Sequence, residues 1–155
     1  MTVAEKLVEL LKARGLTCAT AESCTGGGVG SAITAVPGSS AVFAGGVISY
    51  ANAVKRDVLG VSDHNLQTVG AVSSEVAAQM AYGARKLLKT DLAVSLTGIA
   101  GPDGGSEEKP VGLVWFGLAT KDGVRTEKAI FRGDRAQVRA QAVTHALGML
   151  TIAAT

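Results

Sequence analysis

Apolar residues at Val3, Leu7, Val8, Leu10 and Leu11 recur every three or four positions, the period at which side chains return to one face of a helix. Gly15 follows as a stop, because glycine enters the left-handed conformation that ends helices without steric cost. Leu16–Ala21 then reads as a short strand, and Thr25–Ala35 as a helix that begins in glycines and halts before Pro37-Gly38. Ala41–Tyr50 has strand character, Asn52–Leu59 is a short helix, and Ser73–Lys89 is a long helix opened by Ser73 or Ser74 as N-cap. Leu92–Leu96 is a further apolar strand. The polar, glycine-rich stretch Gly98–Pro110 is too long for a simple turn and marks a candidate functional loop. Val111–Thr120 and Val124–Phe131 form a hairpin around Lys121-Asp122-Gly123, and Asp134 caps a last helix that runs to Ala153.

This alternation of helices and apolar strands, closed by one antiparallel hairpin, predicts an α/β fold: a three-layer α/β/α sandwich with a mixed, mostly parallel sheet. No repeat, low-complexity tract or linker divides the 155 residues, so a single domain over 1–155 is expected. Composition sharpens the picture: 47% of residues are hydrophobic and 4% aromatic, with 20 glycines, so the core is built from small side chains. The net charge of +2 arises from dispersed charges with no run of Lys and Arg, which argues against a nucleic-acid partner. No stretch reaches the ~18 apolar residues of a membrane span. Glu5, Lys6, Glu9 and Lys12 interrupt what would be the apolar core of a signal peptide. A cytoplasmic protein without membrane contact is expected. Cys18 and Cys24, six positions apart, fit neither a metal hook nor a redox pair, and His64 and His145 are isolated, so reduced thiols, no metal site and no cofactor are expected.

Four segments could carry chemistry. Ala21-Glu22-Ser23-Cys24-Thr25-Gly26-Gly27-Gly28 stands where a strand hands over to a helix, the place where ligands of open α/β sheets collect. Backbone N–H groups there can hold an oxyanion or phosphate, and Ser23 is placed as a nucleophile; equally, Ser23 or Thr25 can be a plain N-cap and the glycines packing residues. A serine needs a base, and no histidine accompanies it. Lys55 lies one helical turn past another strand end, where desolvation could lower its pKa enough for that role, or where it could simply be an exposed helix lysine. Thr97-Gly98-Ile99-Ala100-Gly101-Pro102 follows a third strand and is either a part of the same rim or a connector. Arg135 and Arg139, four apart on one helix face, can clamp a phosphate or stand as solvated charges.

In this order and spacing the segments resemble the CinA C-terminal domain family across essentially the whole chain. The matching pieces are Ala21–Gly27, the Tyr50, Asn52 and Lys55 spacing with Leu59-Gly60-Val61, Gly70-Ala71-Val72-Ser73, Thr97–Pro102, Lys109-Pro110-Val111-Gly112 and Gly133-Asp134-Arg135. Ala51 stands where the family often has serine, and Gly28 where a bulkier residue is usual. The resemblance implies hydrolysis of the carboxamide of nicotinamide mononucleotide to nicotinic acid mononucleotide and ammonia, in pyridine nucleotide recycling. It implies Ser23 as nucleophile and Lys55 as general base, with Tyr50 and Thr97 as polar supports. Backbone N–H groups near Thr25 and Gly26 would hold the oxyanion, and Gly27, Asn52, Gly101, Arg135 and Arg139 are the further candidate contacts to the nucleotide. Two rivals remain: a nucleotide-binding or regulatory module without turnover, and an amidase whose nucleophile is Cys24, since a helix N-terminus can lower a thiol's pKa. A small-molecule nucleotide substrate and a homodimer, paired through the last helix or an edge strand, are expected.

Overall fold

The computed structural model describes residues 1–155. Along the chain run α1 (Val3–Arg14), β1 (Cys18–Glu22), α2 (Gly28–Thr34), a 3-10 turn (Ser39–Ala41), β2 (Phe43–Ile48), α3 (Asn52–Leu59) and α4 (Asp63–Thr68). Then follow α5 (Ser74–Leu88), β3 (Leu92–Gly98), β4 (Leu113–Thr120), β5 (Gly123–Ile130) and α6 (Arg135–Ala154). The five strands form one sheet in the order β2-β1-β3-β4-β5. Strand β1 pairs in parallel with β2 and β3, whereas β4 is antiparallel to both β3 and β5. Four strands therefore share a direction and one opposes them, the mixed, mostly parallel sheet that the pattern predicts.

Helices α1, α2 and α6 cover one face, where Leu7, Leu11, Ile33, Phe116 and Leu150 lie in the larger core; α5, with α3 and α4 against it, covers the other over Val76, Met80, Ala84, Ala93 and Ala119. Small residues let this second layer ride close to the sheet: a Cβ at Gly117 would collide with the Ala77 carbonyl of α5. Both expected caps form, Ser73 Oγ accepting from the Val76 N–H at 3.2 Å and Asp134 making a reciprocal capping box with Gln137. No helix is long and apolar enough to cross a membrane.

Two element starts and one whole helix illustrate where the structure departs from the expectation. Helix α2 starts at Gly28 rather than Thr25, because Gly26 and Gly27 hold φ of 58° and 104° and cannot belong to a right-handed helix. Strand β2 starts at Phe43 rather than Ala41, since the chain first closes the turn Ser39–Ala41. Helix α4 is not anticipated at all: Leu66 is its one large apolar residue and none of its residues is buried, so it presents no apolar period to read, only the Ser62 cap on the Asn65 N–H. What the topology does for function is simple. The carboxyl ends of β2, β1 and β3 lie side by side, Glu22 opposite both Ile48 and Leu96, so the residues following each strand meet on one rim.

Candidate active site

Past the end of β1 the Ser23 N–H still donates to the Leu96 carbonyl at 3.1 Å, and on the other side the Ser49 N–H donates to the Glu22 carbonyl at 2.7 Å. The chain then turns sharply. Gly26 N–H returns to the Ser23 carbonyl at 3.1 Å and Gly28 N–H to the Thr25 carbonyl at 3.0 Å, a reversal that needs the positive φ of Gly26 and Gly27. Ser23 is thus fixed at a strand-to-helix elbow.

Glu22, only 2% exposed, locks this elbow from behind. Its Oε1 accepts from Thr25 Oγ1 at 2.6 Å and the Val29 N–H at 2.9 Å, and its Oε2 from the Gly30 N–H at 3.0 Å. First-turn N–H groups of a helix lack partners within it and favour negative charge. Here the chain's own carboxylate takes them. The Val29 and Gly30 N–H groups are thus taken by Glu22, and the Gly26 N–H by the Ser23 carbonyl. Sequence reasoning missed Glu22, although a carboxylate at the end of an otherwise apolar strand signals that donors must be waiting for it.

Lys55 sits in the first turn of α3 and points inward with Leu59 one turn on, leaving it 1% exposed. Its Nζ lies 3.0 Å from Ser23 Oγ and donates to the carbonyls of Ser49 at 2.7 Å and Tyr50 at 3.1 Å. None of its partners is a carboxylate. Burial pushes the Lys55 ammonium below the ordinary lysine pKa, and the Coulombic effect of the neighbouring Cys24 opposes that only in part. Cys24 itself is 7% exposed, and burial pushes its thiol up to about 11 despite the opposing charges of Arg139 and Lys55. At neutral pH it is therefore a thiol, a poor nucleophile.

Ser23, Lys55, Tyr50, Asn52, Thr97 and Arg135 line one cavity of about 200 Å³, joined by Cys24, Ala71, Val72, Gly98 and Ala100. Thr97, 1% exposed, donates its hydroxyl to the Ala71 carbonyl at 3.0 Å and so fastens that wall to the end of β3. Lys109 donates its Nζ to the Val69 carbonyl and ties the same wall to the long loop after β3, a contact with no advance signal in the spacing. Tyr50 is 63% exposed; its carbonyl serves Lys55 while its hydroxyl accepts from Arg135 Nη2 at 3.4 Å. Arg135 Nη1 also donates to the Gly101 carbonyl at 2.9 Å, which accounts for Gly101 beside the cavity rather than in its wall. Arg139 reaches the elbow instead, with Nε on the Cys24 carbonyl at 3.1 Å and Nη2 on the Thr25 carbonyl at 3.2 Å. A larger groove of about 700 Å³ runs past Val58, Tyr82 and Leu87 between α3 and α5, but it brings together no nucleophile and base, so chemistry rather than size picks the site.

Fold and site together define an α/β domain with a buried serine–lysine pair at the carboxyl rim of its sheet. The chain belongs to the CinA C-terminal domain family, whose model matches residues 1–153. It is 52% identical over 151 residues to the nicotinamide-nucleotide amidohydrolase PncC of Escherichia coli K12, covering 97% of this chain and 92% of that one. It is 56% identical over 132 residues to a competence-damage inducible protein of Halothermothrix orenii, 84% of this chain but only 32% of that longer relative. Among solved structures, the competence/damage inducible protein CihA of Agrobacterium tumefaciens superposes with a TM-score of 0.94 at 44% identity, over 98% of this chain and 93% of that one.

Proposed function

We propose that the protein hydrolyses the carboxamide of nicotinamide mononucleotide, with Ser23 as nucleophile and Lys55 as general base. The observation that carries this reading is the buried Lys55 Nζ at 3.0 Å from Ser23 Oγ, with a lowered pKa and no acidic partner. The neutral amine takes the hydroxyl proton as Oγ bonds to the carboxamide carbon, and the carbonyl electrons move onto oxygen. The resulting ammonium, still held by the Ser49 and Tyr50 carbonyls, gives that proton to the departing nitrogen as the C–N bond breaks, so ammonia leaves and a Ser23 ester remains. Water, deprotonated by the same lysine, then cleaves the ester to nicotinic acid mononucleotide and free Ser23. The choice of substrate follows the amidohydrolase relatives, and the exposed Arg135 at the cavity mouth, next to Tyr50, is the candidate contact for the nucleotide's phosphate.

The test is chromatographic identification of both products after incubation of the purified protein with nicotinamide mononucleotide and no added metal. Stoichiometric ammonia and nicotinic acid mononucleotide support the reading. A folded protein that the nucleotide stabilises against heat but that forms no product would move it to the nucleotide-binding module.

A further inference from the structure

The guanidinium of Arg139 grips two successive carbonyls of the elbow, Cys24 and Thr25, from α6 more than a hundred residues away along the chain. In a trans peptide the N–H points opposite to the C=O. The plane that turns the Cys24 carbonyl toward Arg139 therefore turns the Thr25 N–H away from it. The plane that turns the Thr25 carbonyl to Arg139 carries the Gly26 N–H, which closes on the Ser23 carbonyl at 3.1 Å and so orients the Cys24 N–H in turn. The N–H groups of Cys24 and Thr25 donate to no backbone carbonyl and to no side-chain oxygen, the Cys24 N–H meeting only its own Sγ, although the two residues are only 7% and 2% exposed. Buried N–H groups without an acceptor are rare in folded chains, and consecutive ones form a natural cradle for an anion. They directly follow the nucleophile, where acyl-transfer enzymes place the donors for a tetrahedral oxyanion.

We propose that Arg139 is a positioning residue that sets the oxyanion cradle formed by the Cys24 and Thr25 N–H groups, and that it acts through the peptide planes rather than on the substrate's phosphate. This rests on the serine amidase reading above. Arg139→Gln keeps a polar side chain but loses the two-pronged grip, and Arg139→Lys keeps the charge and at most one of the two bonds. With nicotinamide mononucleotide, kcat of Arg139→Gln is expected to fall by about 10- to 100-fold, a fraction of what losing an oxyanion donor outright costs, with KM changed less than about threefold. The same fall is expected with nicotinamide riboside, which lacks the phosphate, and Arg139→Lys is expected in between.

A second readout does not depend on the natural substrate. An alkyl fluorophosphonate bonds to Ser23 Oγ and releases fluoride, and the phosphoryl oxygen occupies the cradle as negative charge builds. Its rate of labelling, followed by intact mass, is expected to drop in Arg139→Gln in parallel with kcat. If wild type labels at Ser23 but releases no ammonia, the amidase reading fails while the labelling rates still decide the role of Arg139. A KM that rises with kcat unchanged, an effect that vanishes on the riboside, or equal labelling of variant and wild type would overturn the proposal. Should Arg139→Gln not fold, judged by circular dichroism, Arg139→Lys carries the same comparison.

Discussion

At the scale of single residues the site rests on two buried groups of opposite character. As the proposed general base, Lys55 acts in its neutral form, and burial places its pKa below the ordinary lysine value, so kcat/KM should climb with pH along a limb that lies below about 10.4. Lys55→Arg, permanently protonated, should abolish turnover at every pH; an unchanged profile in that variant would remove Lys55 from the chemistry. The same shift is a stability statement. Between the folded and the unfolded pKa the unfolded chain binds the extra proton, so stability should rise with pH across that window and level off above the unfolded value. Denaturant midpoints of wild type and Lys55→Met, compared from pH 8 upward, check this, since the variant should lack that rise. Glu22 is the other group. Glu22→Gln sets an amide N–H2 against backbone donors and forfeits at least one charge-assisted hydrogen bond, a cost of about 2 kcal/mol read as a lower denaturant midpoint. What the sequence offered here was residue type and place. Ser23, Lys55 and Thr97 could be placed because each closely follows a strand end, but that Lys55 is buried, and that Glu22 is already satisfied by α2, depends on contacts that spacing alone does not fix.

At the scale of elements, legibility tracked apolar periodicity and capping chemistry. Helices α1, α5 and α6 carry stripes of buried residues bounded by Gly15, Ser73 and Asp134, and all three were readable. Helix α4 buries nothing, and the start of α2 is decided by glycine conformations, so neither could be drawn from a pattern. The cap of α6 also matters for the site, because Arg135 and Arg139 project from its first two turns. Asp134→Ala should cost about 1 kcal/mol and loosen both guanidinium anchors, seen as a lower melting temperature together with reduced kcat. Farther along, β5 and α6 are joined by Glu127 and His145, whose Oε2 and Nε2 lie 3.0 Å apart over the ring of Phe116. Arg125, and secondarily His145, hold the Glu127 carboxyl below its usual 4.5. A depressed carboxyl pKa stabilises above the unfolded value and loses its contribution as pH falls through the folded one. Glu127→Gln should therefore lower stability slightly at neutral pH and flatten the acid side of the stability curve below about pH 5 by the same small amount, because the pair is largely solvent-screened.

At the scale of the whole molecule, one topological fact assembles everything else: three parallel strand ends side by side bring Ser23 and the Ser49–Tyr50 carbonyls within reach of a single lysine and set Thr97 in the wall of the same cavity. The fold class and the mixed sheet followed from alternating elements and the final hairpin, whereas the strand order, and with it the meeting of sequence-distant segments, emerges only in three dimensions. The helical layer that carries α6 supplies two arginines to the rim, and α3 and α5 leave a separate groove with exposed Tyr82 and Leu87. Whether Ser23 or its neighbour Cys24 attacks is the point on which this arrangement can be judged most sharply. Ammonia release from nicotinamide mononucleotide should be measured side by side for wild type, Ser23→Ala, Lys55→Met and Cys24→Ala, each checked for folding. The expected result is loss of about a thousandfold or more in the first two variants and activity within about threefold of wild type in the third. An active Ser23→Ala beside an inert, folded Cys24→Ala would contradict it.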